Sequence, residues 1–358
     1  MKKFLIVSVV ALVAISVAVT AAVAKPAKKS ASIQVCVLLP DSTTSIRWEQ
    51  YDRPSIDKVL TAAKVSHTIV NALGDPQKMI NQADQCLANG AKVLIMSPID
   101  SGSGATIEKK FAAAGAKSID YDRQTEGGNA VVYISFQNPT VGVLQANAVI
   151  AGLKAKGMYT KKPVVAALWG GQTDPNAYAF KSGNDKVLNP LFKSGVLVKG
   201  PQQFVKDWDG PTAATVFSQM LVKTGNKIDG VTAANDNLAN SVVVDLKAAK
   251  LKPIPLSGQD ASPQGVQNII SGWQTATVFK DVRVLAVAAA QTAISILNNK
   301  PIKTTGVIKT KGRPLEKSLL FAPVNITKAN FKTLFTSGFM KRNTVCIGEY
   351  AKYCVKPA

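Results

Sequence analysis

The sequence offers little that could bind a metal ion or act as a nucleophile. Only one of its 358 residues is histidine, His67, and only four are cysteine. The spacing of these residues does not resemble that of a zinc site. His67 has no serine or cysteine partner at a nucleophile elbow, since the chain contains no G-x-S-x-G segment. We therefore expect no metal, no cofactor and no enzymatic activity.

Acidic residues are scarce as well. The chain has 22 aspartates and glutamates against 43 lysines and arginines, a net charge of +21. Without residues 1–24 it keeps 41 basic and 22 acidic residues, a net charge of +19. The lysines are scattered singly, without a basic stripe on one helix or an accompanying series of aromatic residues. This pattern predicts a solvated basic surface, suited to an anionic envelope or an acidic medium, and argues against a nucleic acid partner.

Long apolar runs are absent after the first residues. Two lysines, the uncharged run 4–19 and the small residues Ala22-Val23-Ala24 together predict a signal peptide over 1–24, followed by a flexible basic lead-in over 25–32. No cysteine near the cleavage point could accept a lipid. We expect secretion across the cytoplasmic membrane, into the periplasm or onto the exterior of the cell envelope. Whether the leader is cleaved or retained stays open.

The four cysteines would then meet an oxidising compartment, where disulfides persist. Cys346 and Cys354 lie eight residues apart near the end of the chain, which favours a local bridge. Cys36 and Cys86 would form the second pair. The alternatives that remain are the other pairings and two buried free thiols at Cys36 and Cys86.

Short apolar runs alternate with helical patterns along the chain, and the alternation occurs twice. This order predicts an α/β fold with two Rossmann-like lobes, each with a parallel central sheet, joined by a hinge of three chain crossings. We expect a first lobe over 33–137 and 280–308 and a second lobe over 138–279 and 309–358. The predicted strands are 33–39, 67–70, 92–96, 116–119, 131–136, 163–169, 196–205, 230–234, 253–257 and 277–279, with two further runs in 306–324. The predicted helices are 55–63, 75–88, 105–114, 140–156, 176–192, 211–224, 238–249, 264–271 and 283–297.

Polar and aromatic side chains gather where the predicted strands end. In open parallel sheets, ligands bind beyond the carboxyl ends of the strands, so these side chains should converge on one cleft. Carboxylates and amide oxygens accept hydrogen bonds from sugar hydroxyls, whereas arginine, lysine and amide NH groups donate to them. The candidates for ligand binding at these positions are Asp41, Arg47, Trp48, Asp122, Arg123, Asn176, Trp208, Asn235, Asp236, Asp260 and Lys280.

The two tryptophans of this set come from different predicted lobes. Trp48 and Trp208 could therefore sandwich the apolar face of a pyranose ring. Structural roles remain as alternatives, since a lone tryptophan is often a core residue and Asn235-Asp236 could cap a helix. Asp122 and Asp260 could form a glycosidase pair, but Arg123 would keep its neighbour ionised, which is wrong for a general acid.

Twelve segments or residues of the chain carry a resemblance to a known family, namely Arg47-Trp48, Asp52-Arg53, Tyr121-Asp122-Arg123, Tyr133–Asn138, Val141–Ala146, Gly170-Gly171, Asn176-Ala177, Asn235-Asp236, Ser257–Ala261, Gln274-Thr275, Thr277-Val278 and Lys280. In these segments the chain resembles the type I periplasmic sugar-binding proteins, the soluble receptors of ATP-driven importers. The resemblance implies a pyranose ligand such as xylose, a membrane permease as partner, a monomeric protein and no catalysis. It also implies that Arg47, Trp48, Asp122 and Arg123 contact the sugar from the first lobe, that Asn176, Trp208, Asn235 and Asp260 do so from the second, and that Lys280 lies at the hinge.

Three other functions remain open. The same fold could serve a receptor for a sugar-like signal, such as an autoinducer or a chemotaxis ligand. A sugar-active enzyme would show turnover instead of saturable binding. The effector domain of a transcription regulator is disfavoured, because the chain begins with an export signal and not with a helix-turn-helix.

Overall fold

The computed structural model describes residues 32–42 and 45–355. The expected signal peptide and most of the basic lead-in after it lie outside the described residues. Among the helices of the described ranges, none is both long and apolar enough to cross a membrane.

The strands follow the predicted apolar runs closely. Inner strands of the parallel sheets are buried on both faces and form nearly continuous apolar segments, such as VCVLL in the first strand. The strands are β1 (Val35–Leu39), β2 (His67–Asn71), β3 (Val93–Met96), β4 (Lys117–Tyr121), β5 (Val132–Phe136), β6 (Val164–Trp169), β7 (Val198–Phe204), β8 (Gly230–Ala233), β9 (Ala276–Phe279), β10 (Gly306–Thr310), β11 (Arg313–Phe321) and β12 (Val324–Thr327).

Most helices begin with an aspartate, asparagine or serine cap, often followed by proline. Asp75 illustrates the signal, because its carboxylate accepts from the backbone NH groups of Gln77 and Lys78 and Pro76 opens the helix. The helices are α1 (Arg53–Ala62), α2 (Pro76–Ala88), α3 (Ser101–Ala113), α4 (Asn138–Ala155), α5 (Pro175–Lys193), α6 (Gly210–Thr224), α7 (Asp236–Ala248), α8 (Pro263–Ser271), α9 (Val282–Leu297), α10 (Thr333–Thr336) and α11 (Arg342–Val345). Short helical turns cover Trp48–Asp52, Tyr159–Lys161, Lys206–Trp208 and Gly348–Cys354.

Seven strands form the sheet of the first lobe, in the order β10-β11-β5-β4-β3-β1-β2. The pairs are parallel except for the hairpin of β10 and β11. Successive residues of β1 point to opposite faces of the sheet, so Val35, Val37 and Leu39 join one core cluster and Cys36 and Leu38 the other. The apolar helix α9 packs in the first of these clusters, together with residues of β1, β3 and β5.

The sheet of the second lobe has the order β7-β6-β8. Single parallel bridges, Val231 to Leu256 and Gln259 to Val278, continue it towards β9, which pairs antiparallel with β12. The prediction of a regular strand over 253–257 is therefore wrong, since only Leu256 makes a bridge there. Pro253 and Pro255 have no backbone NH group, so this segment has few ladder donors.

The chain passes between the two sheets three times, after β5, after β9 and after β11. The last crossing differs from the expectation, which assigned all of 309–358 to the second lobe. Because β11 pairs with β5 in parallel, residues 313–321 belong to the first sheet. The end of the chain then packs on α8, where the Gln267 side chain donates to the carbonyl oxygen of Val345.

Both expected disulfides are present. Cys36 in β1 is bonded to Cys86 in α2, and Cys346 to Cys354 at the end of the chain. The first bridge ties a central strand to the helix that covers it. The second closes the terminal turn that packs against α8, so each bridge holds a local unit in place.

Candidate ligand-binding site

Nine of the eleven candidates line one cavity between the two lobes, and Asp41 and Asp236 do not. This cavity has a volume of about 40 Å³ and is called the central cavity below. Four residues that were not among the candidates line it as well, namely Ser45, Asp174, Phe180 and Gln259. The carboxyl ends of the strands in both sheets thus face the same space, as the topology of open parallel sheets requires.

Arg47 is held on the first lobe by two buried carboxylates. Its Nε and Nη2 atoms lie 3.0 and 2.8 Å from the oxygens of Asp52, and Nη1 lies 2.5 Å from Oδ1 of Asp122. The hydroxyl of Tyr121 also donates to Asp52. With the guanidinium locked in place by charge-assisted hydrogen bonds, Arg47 fixes the position of Asp122 at the cavity wall.

Asp122 follows β4 and has a left-handed backbone with φ of 64°. Its carbonyl oxygen accepts from the hydroxyls of Tyr133 and Ser135, which stabilises this uncommon conformation. Burial alone would raise the pKa of Asp122, but the nearby charges of Arg47 and Lys280 outweigh burial and lower it. The side chain therefore faces the cavity as a carboxylate, able to accept hydrogen bonds.

Polar contacts join the lobes directly across the cleft. The Nε atom of Arg123 lies 3.0 Å from Oδ2 of Asp174, and Nδ2 of Asn176 donates to the carbonyl oxygen of Asp122 at 3.0 Å. The Oδ1 atom of Asn176 accepts from Asn138 at 2.7 Å. Both ends of the Asn176 amide therefore bond to other protein groups. Its expected contact with a sugar stays a prediction.

The two tryptophans are buried at the cavity but differ in their surroundings. The guanidinium of Arg47 lies 4.3 Å from the ring centroid of Trp48, so an arginine already covers part of that ring. Trp208 lies against Gly170, where an added Cβ would be 2.0 Å from a ring carbon. The expected sandwich of a sugar between Trp48 and Trp208 also stays a prediction.

On the second lobe, the candidate Asp236 does not line the central cavity but organises the loop that carries Asp260. Asp236 accepts from Gln274 Nε2 at 2.9 Å and from the backbone NH of Ser262 at 2.8 Å. Its pKa is raised to about 7, mainly by burial. Asp260 and Ala261 both have positive φ, so Asp236 stabilises a loop whose backbone is strained.

Asn235 caps α7 through Oδ1, which accepts from the backbone NH of Leu238 at 2.9 Å. The capping role that the sequence left open is thus present. The cap uses only the amide oxygen, and Asn235 also lines the central cavity. Its Nδ2 group has no partner within 32–42 and 45–355, so capping and ligand contact are compatible in one side chain.

Lys280 occupies the second crossing between the lobes and is buried. Its ammonium lies 3.7 Å from Oδ1 of Asp260, too far for a hydrogen bond. The rings of Phe136 and Phe180, one from each lobe, lie 5.9 and 5.6 Å from it. Lys280 thus presents a charged donor inside the cleft, at the hinge position that the resemblance implied.

The sequence contained a signal for one of the missed residues. Asp174-Pro175 is the same helix-start pattern as Asp75-Pro76, and the Asp174 carboxylate does cap α5. Its second role, as the partner of Arg123, depends on the approach of the two lobes. Phe180 lies one helical turn from Asn176, but nothing in its local sequence distinguishes it from a core residue.

A family model described as "Periplasmic binding protein domain" matches residues 36–301. The chain belongs to this family. It is 33% identical over 354 residues to the multiple sugar-binding periplasmic receptor ChvE of Rhizobium radiobacter, covering 94% of this chain and 98% of that protein. It is 30% identical over 299 residues to the D-xylose-binding periplasmic protein of Escherichia coli, covering 83% and 88%.

Solved structures of this family have the same fold. The solute-binding protein of Clostridium phytofermentans, solved with bound β-D-glucose, superposes with a TM-score of 0.82 at 26% identity and covers 87% of this chain and 99% of its own. The carbohydrate transporter solute-binding protein of Chloroflexus aurantiacus, solved with D-glucose, superposes with a TM-score of 0.78 at 26% identity. The match covers 87% of this chain and 98% of that protein. The resemblance to the type I sugar-binding proteins and the α/β fold are confirmed, and the relatives are binding proteins, not enzymes.

Proposed function

We propose that the protein captures one monosaccharide, a pyranose such as xylose or glucose, between its lobes and delivers it to an ATP-driven membrane permease. The observation that carries the proposal is a set of buried polar groups with no hydrogen-bond partner in the described ranges. They belong to residues that line the central cavity, namely Nε1 of Trp48 and of Trp208, Oε1 of Gln259 and Oδ1 of Asp260.

A sugar suits these groups because each hydroxyl both donates and accepts. Indole and ammonium groups need acceptors, whereas the carboxylate and amide oxygens need donors. One hydroxyl between Lys280 and Asp260, now 3.7 Å apart, would satisfy both. Since an unsatisfied buried polar group costs about 1–3 kcal/mol, a polyol that pairs several of them gains both affinity and specificity.

Opening of the lobes is part of the proposal. The central cavity lies between the two lobes, so the lobes must part at the three crossings before a sugar enters. The contacts Arg123–Asp174 and Asn176–Asp122 would break in the open form and return on closure. A sugar would shift this equilibrium only by its higher affinity for the closed form.

The relatives support the transport role and the location. The proteins with the names quoted above bind xylose, several sugars or glucose, and the curated relatives are periplasmic. We propose that this chain is exported, acts outside the cytoplasmic membrane as a monomer and has no nucleic acid partner. The expected leader and the two disulfides support the extracytoplasmic location.

Calorimetric titration with D-xylose, D-glucose, D-galactose, L-arabinose and D-ribose tests the proposal. At least one sugar should bind with 1:1 stoichiometry. Asp260→Asn and Lys280→Met should each lower the affinity for that sugar by about 10- to 100-fold, because each removes a charge-assisted hydrogen bond to the sugar worth about 1.5–3 kcal/mol. Asparagine tolerates the positive φ of residue 260, so the first variant should fold.

Asp84→Asn is the matched control, because Asp84 pairs with Lys110 on the surface of the first lobe. It should bind the sugar as the unmodified protein does. Saturation by none of the five sugars, or equal affinity in Asp260→Asn, Lys280→Met and the control, would contradict the proposed site.

A further inference from the structure

A second and much larger cavity lies next to the central cavity, between the same two lobes. Its volume is about 580 Å³, and we call it the vestibule. Sites for small molecules commonly measure about 300–1,000 Å³, so the vestibule has the size of a site in its own right. It is lined by Asp41, Gly74, Ile99 and Arg123 of the first lobe and by Gly171, Thr173, Asp174, Asn237 and residues 206–212 of the second.

The two cavities share a wall. Arg123, Asp174 and Trp208 line both of them. The lobes are already in contact at this wall, where Nε of Arg123 lies 3.0 Å from Oδ2 of Asp174. The vestibule is therefore space that remains beside a closed contact, and a group attached to a sugar in the central cavity would pass this wall to enter it.

The vestibule offers uncharged polar groups of its own. Nδ2 of Asn237 donates to the carbonyl oxygen of Trp208 at 3.0 Å, which fixes the orientation of the amide. Within 32–42 and 45–355, neither Oδ1 of Asn237 nor the hydroxyl of Thr173 has a hydrogen-bond partner. One is an acceptor and the other both donates and accepts, the combination that a sugar hydroxyl requires.

The charges that line the vestibule exclude an acidic occupant. Four aspartates, at positions 41, 174, 207 and 209, face it together with only two cations, Arg123 and Lys206. Arg123 is paired with Asp174, and Lys206 lies 3.9 Å from Asp207. Because like charges at short distance repel, a carboxylate or phosphate group would be disfavoured there.

We propose that the vestibule is a subsite for a neutral substituent on the bound sugar, so that the ligand class includes neutral disaccharides and glycosides. This inference rests on the proposed function, because the first sugar unit occupies the central cavity. The second unit would lie against Trp208 and bond to Thr173 and Asn237. The free reducing sugar is then the smallest ligand of the site and not its only one.

Calorimetric titration of the unmodified protein with D-xylose, D-glucose, xylobiose, cellobiose and maltose tests the subsite. At least one disaccharide should bind within tenfold of its monosaccharide. Thr173→Trp places an indole in the vestibule from the second lobe, and Ile99→Trp does so from the first. Each variant should lower the affinity for that disaccharide at least tenfold and change the affinity for the monosaccharide by no more than about twofold. Thr106→Trp, on the exposed face of α3, is the control and should change neither.

The outcomes separate the two proposals. Binding of monosaccharides without any disaccharide overturns the subsite and leaves the proposed function intact. Binding of neither kind of sugar overturns the proposed function and the subsite with it. Disaccharide affinity that is unchanged in both tryptophan variants also overturns the subsite. An aldobiouronic acid that binds as tightly as the neutral disaccharide would contradict the charge argument.

Discussion

Nε of Arg123 and Oδ2 of Asp174 lie 3.0 Å apart, and the two residues belong to different lobes. Both side chains are buried, and Asp174 also caps α5 by accepting from the backbone NH of Asn176. The ion pair therefore exists only when the lobes are closed, whereas the cap exists in either form. This difference allows closure to be perturbed without disturbing the helix.

Asp174→Asn should shift the protein towards the open form. Asparagine keeps the cap but leaves Arg123 buried beside an uncharged partner, which disfavours closure. Without sugar, the radius of gyration from small-angle X-ray scattering should exceed that of the unmodified protein. Sugar affinity should fall several-fold, because the apparent affinity scales with the population of the closed form. Asp185→Asn, which removes a pair with Lys181 within α5, is the control, and equal scattering from both variants would refute the role of the pair.

Gly170→Ala should displace Trp208 from the cavity wall. An added Cβ at this position would lie 2.0 Å from a carbon of the indole ring, which is far below contact distance. We expect a sugar affinity at least tenfold lower and a changed near-ultraviolet circular dichroism spectrum. Gly306→Ala serves as the control, since a Cβ there meets no atom within 4 Å. If both variants bind equally well, the packing of Trp208 on Gly170 is not required for the site.

Asp236 should make stability depend on pH. Burial raises its pKa to about 7, whereas in the unfolded chain it ionises near pH 4. The stability gained by keeping the proton is complete below about pH 4 and is lost as the pH rises through 7. The unfolding free energy of the unmodified protein, relative to Asp236→Asn, should therefore fall by about 2–3 kcal/mol from pH 5 to pH 8.

Urea denaturation of both proteins at the two pH values measures this difference. The asparagine variant supplies the reference, because it cannot titrate at this position. The carboxylate of Asp260 lies near Asp236 and raises its pKa further, so Asp260→Asn should reduce the effect. A difference that stays constant between pH 5 and pH 8 would show that Asp236 is ionised throughout.

The two disulfides should differ in their contribution to stability. The bridge between Cys36 and Cys86 closes a separation of 50 residues, and that between Cys346 and Cys354 one of 8. Loop-closure entropy predicts losses of about 4 and about 2.5 kcal/mol on removal. Urea denaturation of the Cys36→Ala/Cys86→Ala and Cys346→Ala/Cys354→Ala variants measures both losses, and a larger loss for the terminal bridge would contradict this ranking.

Local signals in the sequence were enough for most of the elements. The capping aspartates with a following proline, such as Asp75-Pro76, set the starts of helices because capping and proline geometry act within one turn. The continuous apolar segments predicted buried parallel strands. The candidate residues came from one rule, that side chains at the carboxyl ends of parallel strands meet, and nine of the eleven line the central cavity.

Contacts between distant segments could not be predicted from local sequence patterns. Residues 313–321 pair with β5, at an edge of the first sheet that is open to a further strand. The residues of this segment do not by themselves indicate which strand they will pair with. The partners of Asn176 and Asp174 depend likewise on how the lobes meet. The loop-closure cost grows only slowly with separation, so sequence distance does not discriminate between such partners.

The sequence by itself therefore determined the α/β class, the helix starts and most of the residues at the cleft, since each depends on local chemistry or on a rule of topology. The tertiary structure alone decided that Asn176 bonds across the lobes, that Arg47 covers the ring of Trp48 and that Asp236 holds the loop of Asp260. These contacts join segments whose mutual approach is set by the packing of the whole molecule, and no short segment specifies that packing.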